Sequence, residues 1–435
     1  MSNKTRIGRT VQQLYKSKVA QNAAALYGTQ IATYMFPLAM IPYLARVLGP
    51  RYWGIVAMAQ ALGLYFFLVM DFGFQLSATR KVARLRNDRE SLRRTVAGVI
   101  GAKLLLGVVC LCALAVIERF VPTFHQHSLI CWVGGLSGIG MGFSTLWFYQ
   151  GLERMRTPAL LDVVGKAISA AGVFLFVHRP EDAWKVLALQ CISYSGIALI
   201  LLAMVYREIG FLWPKLNSAW QALHESAALF LLQGAVSLYT TANALILAGV
   251  AGPSAVGYYS GAEKISKATI TLLNPISQSL YPRLSHLVMS DYDKALRLTR
   301  ISMAIMTTIG LSLGSCLFVG APAIIHVALG HGYEPAVSVL RVLSIMVPAI
   351  AISNVLAIQY MLPMGMETTV NKIVISAGAL NLVLAFWWAS RWKQLGMAWA
   401  VVISEVTVTL LMCIVLIRKP VHPSAENQVV PVPTP

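Results

Sequence analysis

The chain is short of charge, and of acid above all. Of its 435 residues 12% are charged, and 17 acidic side chains stand against 35 basic ones. Soluble domains are about 25% charged and about 45–50% apolar, whereas this chain is 57% apolar. That balance excludes an ordinary water-soluble protein and places most of the chain in lipid. The six cysteines (Cys110, Cys112, Cys131, Cys191, Cys316, Cys413) all fall in apolar runs. No Cys/His spacing fits zinc, so neither a metal nor a disulfide framework is expected, and buried free thiols remain. A cleavage motif is missing after the basic stretch that ends at Lys18, so the first apolar run is expected to stay as an anchor. Paired carboxylates for nucleotide-sugar metal binding are missing too, as is any polar stretch long enough for a soluble catalytic domain. Neither an enzyme nor a cofactor is expected. The net charge of +18 would suggest nucleic acid in a soluble protein. Here the basic residues cluster at the ends of apolar runs, where membrane topology and anionic lipid account for them.

What the chain does contain, it contains twice. Leu44-Ala45, Val47, Gly49-Pro50, Gly54, Ala59, Gln75 and Arg80 recur as Leu247-Ala248, Val250, Gly252-Pro253, Gly257, Ala262, Gln278 and Arg283. Every pair is 203 residues apart, and Ala24 and Gln30 match Ala227 and Gln233 at the same offset. Shared alanines mean little in an apolar chain; a shared Gly-Pro-x-x-x-Gly with an in-register Gln and Arg means more. Each copy reads as apolar helix, Gly-Pro turn, apolar helix, basic end. Such duplication is the usual plan of a secondary transporter, with the substrate path between the halves.

About 20 apolar residues cross a bilayer as a helix. Twelve runs qualify: 20–47, 52–77, 95–117, 128–150, 158–178, 184–206, 226–250, 254–281, 299–325, 336–362, 368–390 and 395–417. The expected organisation is a basic N-terminus (1–19), a six-helix lobe (20–206), a linker (207–225), a second six-helix lobe (226–417) and a disordered tail (418–435) with five prolines from Pro420 onward. With the N-terminus inside, 23 Lys and Arg fall in inner segments and 7 in outer ones. The positive-inside rule then puts both termini in the cytoplasm, together with the run Arg80–Arg94. Gly134-x-x-x-Gly138-x-x-x-Gly142 in the fourth run is a stripe against which another helix can pack closely. Pro37, Pro42, Pro275 and Pro348 lie inside runs and permit bends.

Four further segments carry a family likeness: Asp71-Phe-Gly-Phe-Gln-Leu-Ser-Ala-Thr-Arg80, Trp147-Phe-Tyr-Gln-Gly-Leu-Glu-Arg-Met155, Tyr281-Pro-Arg-Leu-Ser285, and Leu329-Gly330 followed by Leu340-Arg-Val-Leu343. As a set, spread over residues 22–418, they resemble the polysaccharide transporter family. These are the Wzx-type flippases of O-antigen and exopolysaccharide repeat units, in the superfamily of multidrug, oligosaccharidyl-lipid and polysaccharide exporters. The resemblance implies an all-α membrane protein of about twelve transmembrane helices in two pseudo-symmetric lobes, a V-shaped alternating-access transporter. It implies a bacterial inner-membrane location and a cargo of undecaprenyl-diphosphate carrying a short oligosaccharide. Lipid II flippases of the superfamily carry two more helices, for which this chain has no room. Polymerase and chain-length proteins of the same pathway are the partners it suggests.

Charges inside helices are costly unless they face a cavity or a partner. The candidates are Asp71, Lys103, Asp162, Lys166, Glu263, Lys264, Lys267, Arg341 and Glu405. A diphosphate crossing roughly 30 Å of hydrocarbon requires positive groups along its route, and lysines on several helices suit weak, multi-site passage. Lys264 and Lys267, on one face of the eighth run and within the repeated element, rank first as substrate contacts. Lys103, Lys166 and Arg341 follow, Arg341 near enough to its helix end to snorkel. An exporter of cationic drugs, the rival transporter, would line its cavity with acids instead. The bland alternative is mutual neutralisation: Glu263 with Lys267, and Asp162 with Lys166, stand at i, i+4. Asp71, Glu153 and Glu263 could couple transport to protons or sodium. Against this, Asp71 could merely cap the nearby basic cluster, and Glu153 could pair with Arg154 or Arg156.

Overall fold

The structure is a computed structural model that describes Lys18–Arg418. The basic residues 1–17 and the Pro-rich tail from 419 lie outside the described residues, as do the side chains of Ala24, Gln30, Pro37, Pro275 and Gln278. Every regular element described is helical. Among the described residues, eight helices, counted from Leu38, are long and apolar enough to cross a membrane. Contacts divide the described residues into two compact units, with the boundary between Ser237 and Leu238.

The first unit opens with α1 (Lys18–Asp71), two helices joined at Gly49, and continues through α2 (Phe74–Leu85) and α3 (Arg89–Phe120). A short α4 (Pro122–Gln126) precedes α5 (Ser128–Gly142), α6 (Leu146–Gly151), α7 (Arg156–Phe176) and α8 (Ala183–Ile209). Helix α9 (Leu216–Ala251) spans the boundary. In the second unit lie α10 (Pro253–Thr271), α11 (Asn274–Ser290), α12 (Tyr292–Ala328), α13 (Glu334–Ser344) and α14 (Met346–Asn354). A π-helical turn (Val355–Met361) then leads to α15 (Glu367–Arg418), again two helices, joined at Lys393.

The repeat is visible in the backbone. Gly49 has φ 65°, ψ 171° and Gly252 has φ 80°, ψ 175°. That region of backbone space is open essentially to glycine alone, and the following Pro50 or Pro253 lacks the N–H that a helix start would leave unbonded. Both copies of Gly-Pro are thus explained by one geometry. The structure adds a pair that the sequence reading overlooked. Asp88 caps α3, accepting from the N–H groups of Glu90 and Ser91 at 3.1 Å, and Asp291 caps α12, accepting from Lys294 N–H at 3.1 Å. These aspartates also stand 203 residues apart.

Each of the twelve apolar runs lies in helix, but four are interrupted. The second breaks at Phe72-Gly73, where φ is 44° and 77° and a right-handed helix cannot continue. The fourth breaks at residues 143–145, the eighth at 272–273 and the tenth at Ile345. The segment read as linker becomes helical from Leu216, the start of α9.

The glycine stripe packs as its spacing suggested. A Cβ on Gly134 would lie 2.7 Å from Ala59 Cβ, and one on Gly138 would collide with the Gly63 carbonyl. Between helices in lipid, such close packing replaces the hydrophobic effect as the source of cohesion. Trp147, Phe148 and Tyr149 of α6 are buried in the first unit's core, each ring edge-on to the next. Tyr149 Oη donates to the Leu201 carbonyl at 3.0 Å, satisfying the one polar atom of a large apolar side chain.

Candidate functional site

In the first unit α1, α3, α7 and α8 surround a cavity of about 290 Å³ at the break between α5 and α6. Asp71, Lys103, Asp162 and Lys166, which the sequence offers separately, all line it. Lys166 Nζ lies 2.6 Å from Asp162 Oδ2, so the i, i+4 pair is formed. Lys103 is 1% exposed. Its ammonium donates to the Gly142 carbonyl and, at 3.0 Å, to the Ser144 carbonyl. These oxygens come free because α5 stops there, and a buried cation satisfies them. Asp71, also buried, lies in the field of the Lys103 charge and faces the backbone N–H groups of Gly73 and Gln75 at the α1–α2 break. Both groups are therefore engaged with helix ends.

Glu153 is exposed in the turn between α6 and α7, at φ 58°. Its neighbour Arg154 pairs with Glu208 of α8 at 2.6 Å.

In the second unit the cations of interest sit on α10. Lys267 Nζ pairs with Glu263 Oε1 at 2.9 Å, yet the lysine side chain is 57% exposed. Glu263 also accepts from Tyr259 Oη at 3.3 Å, and Lys264 is half-buried. Glu405 of α15 acts electrostatically on Lys267. Arg341 is exposed on α13, with its guanidinium 5.8 Å above the Phe318 ring of α12.

Apart from Gln75, which the repeat marks, the sequence does not single out the uncharged amides that bond across helices. Gln60 donates to Gln190 at 3.2 Å, and Gln75 to Gln150 at 2.8 Å. Fully buried Gln359, on the π-helical turn, donates to Ser277 Oγ at 3.4 Å. An amide inside an apolar run was the signal to heed, since burial without a partner is costly. Among the described residues no cluster of three or more His, Cys, Asp or Glu could hold a metal.

An all-helical, internally repeated membrane protein with charged side chains turned into a cavity of its own helices is a secondary transporter in plan. Solved structures share the fold. A lipid II flippase, MurJ, in an inward closed conformation matches with a TM-score of 0.68 at 12% identity, over 91% of this chain and 87% of that one. An inward-facing multidrug resistance MATE family transporter of the MOP superfamily matches with a TM-score of 0.60 at 14% identity, over 95% and 96%. The protein named "Putative O-antigen transporter" in Escherichia coli (strain K12) is 31% identical over 399 residues, 91% of this chain and 96% of its own. Its namesake in Shigella dysenteriae is 28% identical over 396 residues, 90% and 98%. The family model described as polysaccharide biosynthesis protein matches residues 19–288. The chain belongs to that family, as a Wzx-type member of the exporter superfamily and a transporter rather than an enzyme.

Proposed function

We propose that the protein is a flippase for undecaprenyl-diphosphate-linked oligosaccharide, of O-antigen or exopolysaccharide type. It would move these units from the cytoplasmic to the periplasmic leaflet of the bacterial inner membrane by alternating access, with both termini in the cytoplasm. The observation that carries this reading is the 31% identity, across 91% of the chain, to the named Escherichia coli transporter. Charge supports it: the helix-borne cations suit a diphosphate better than a cationic drug. Lys264 and Lys267 are the proposed cargo contacts. The Glu263–Lys267 pair leaves the Lys267 side chain exposed, so its ammonium can exchange a carboxylate for a phosphate. Coupling to protons or sodium through Asp71, Glu153 or Glu263, and cooperation with polymerase and chain-length proteins, belong to the same proposal.

The test is complementation of surface polysaccharide in a flippase-deleted strain, with membrane protein quantified in parallel. The Lys264→Gln, Lys267→Gln double variant should lose nearly all activity per molecule, while Arg at both positions should retain part of it. Full activity of the Gln variant at normal abundance removes these lysines from the cargo path. Failure of the unaltered protein to complement, alongside lipid II flipping or cation-coupled drug efflux, assigns it to another branch of the superfamily.

A further inference from the structure

At the basic end of the first unit a second cavity, of about 550 Å³, lies between α2, the first turns of α3 and the segment from Leu212 into α9. The segment is built onto α3 at two glycines. A Cβ on Gly98 would lie 3.1 Å from the Ser218 carbonyl, and one on Gly101 would lie 2.9 Å from Pro214 Cβ. The cavity wall carries Lys81, Arg94 and Lys215 against Glu90 and Glu225. Lys81 pairs with Glu225 at 2.9 Å and Arg94 with Glu90 at 3.1 Å. Among the described residues Lys215 has no carboxylate at ion-pair distance, and Glu90 is shared with Arg93 at 3.4 Å, so the wall is left positively charged.

Gln221 lines this cavity and also a second, largely apolar groove, formed by Leu105 of α3 with Leu216 and Trp220 of α9 and edged by Asn217 and His224. Trp213 is 78% exposed and Trp220 69%. A polar, positively charged compartment that includes Trp213 therefore adjoins, at Gln221, a largely apolar trough that includes Trp220. Tryptophan prefers the headgroup level of a bilayer, and basic pockets beside membrane helices hold anionic headgroups.

We infer that this is a binding site for one anionic phospholipid of the bilayer. Its phosphate sits among Lys81, Arg94 and Lys215, and an acyl chain lies in the trough against Trp220. A free phosphate would leave the trough and Trp220 unused. The site is independent of the cargo proposal, because it is read by binding and not by transport.

The experiment is native mass spectrometry of the full-length protein released from micelles with added phosphatidylglycerol or phosphatidylcholine. One tightly held phosphatidylglycerol is expected, in preference to phosphatidylcholine. Lys215→Gln should weaken it about fivefold and Lys81→Gln, Lys215→Gln by more, the size expected per cation near an anionic lipid. Arginine at both positions should restore the preference. Trp220→Ala should weaken the long-chain lipid and leave a six-carbon-chain phosphatidylglycerol unaffected. Lys215 makes no ion pair among the described residues, so its single variant reports on binding without loss of a described contact, and unchanged thermal unfolding verifies this. Equal retention of both lipids, or a preference that survives in the double Gln variant, overturns the site. Displacement by millimolar inorganic phosphate reassigns it to a free anion. Displacement by undecaprenyl diphosphate at a tenth of the phosphatidylglycerol concentration reassigns it to the cargo. Either result overturns the phospholipid.

Discussion

The Lys103 ammonium closes the open end of α5, donating to the carbonyls of Gly142 and Ser144 from a side chain that is itself buried. Replacing Lys103 by Met should leave those carbonyls buried and unbonded, at a cost of about 1.5–3 kcal/mol for hydrogen bonds to a charged group. The expected phenotype is a fall in membrane abundance with activity per molecule preserved in what remains. Abundance unchanged with activity lost would instead return Lys103 to the cargo path. Asp88 allows a pH test outside the membrane. The Ser91 hydroxyl and the N–H groups of Ser91 and Glu90 hold its carboxyl below the usual carboxylate range. A depressed folded-state value means that the cap contributes above the unfolded carboxylate's titration and is lost as pH falls through the folded one. Hydrogen exchange at Glu90 and Ser91, corrected for intrinsic rates, should therefore quicken at acid pH, and Asp88→Asn should remove that dependence while retaining the cap.

At the scale of elements, the sequence was most readable where one residue type admits one geometry. Gly49-Pro50 and Gly252-Pro253 announce their turns because glycine alone tolerates the backbone found there. The stripe Gly134, Gly138, Gly142 announces a helix contact because its spacing puts three hydrogens in a row. Gly138→Ala should cost about 1–3 kcal/mol by overpacking, read as a lower unfolding temperature in micelles. Gly196→Ala, where a Cβ meets nothing within 4 Å, should be close to neutral. The interruptions at 272–273 and at Ile345 fall just before Pro275 and Pro348, two of the prolines that the sequence marks as bends. The one at residues 143–145 was not readable, because Phe143, Ser144 and Thr145 carry no breaker signal. The start of α9 was hidden likewise. Trp213-Pro214 reads as a stop, and only the glycine face of α3 shows where the chain after it docks. The cavity of Asp71, Lys103, Asp162 and Lys166 combines both lessons, since each charge was visible singly and their meeting was not.

For the whole molecule, topology rests on the basic run from Arg80 to Arg94. A cysteine placed at Asn87, in the turn between α2 and α3, with the six native cysteines removed, should react with an impermeant maleimide only after the membrane is opened. Labelling of intact cells would reverse the orientation and with it the proposed direction of transport. The duplicated halves agree along their length until they do not. Arg89 and Tyr292 open α3 and α12 at the 203-residue offset, and α5 and α13 end within one residue of it. Glu367 then stands 211 residues after Arg156, and the residue following Lys393 stands 211 after Ala183. The second half has thus grown by eight residues in the stretch that holds α14 and the π-helical turn. A π turn carries more residues than the α turn it replaces, and each added residue swings the rest of the helix by about 100° about its axis. A crossover between the halves therefore keeps the helix register as far as Gly142 and Ile345. Beyond that point a crossover must take the whole longer stretch with it, or every later side chain will face the wrong neighbour.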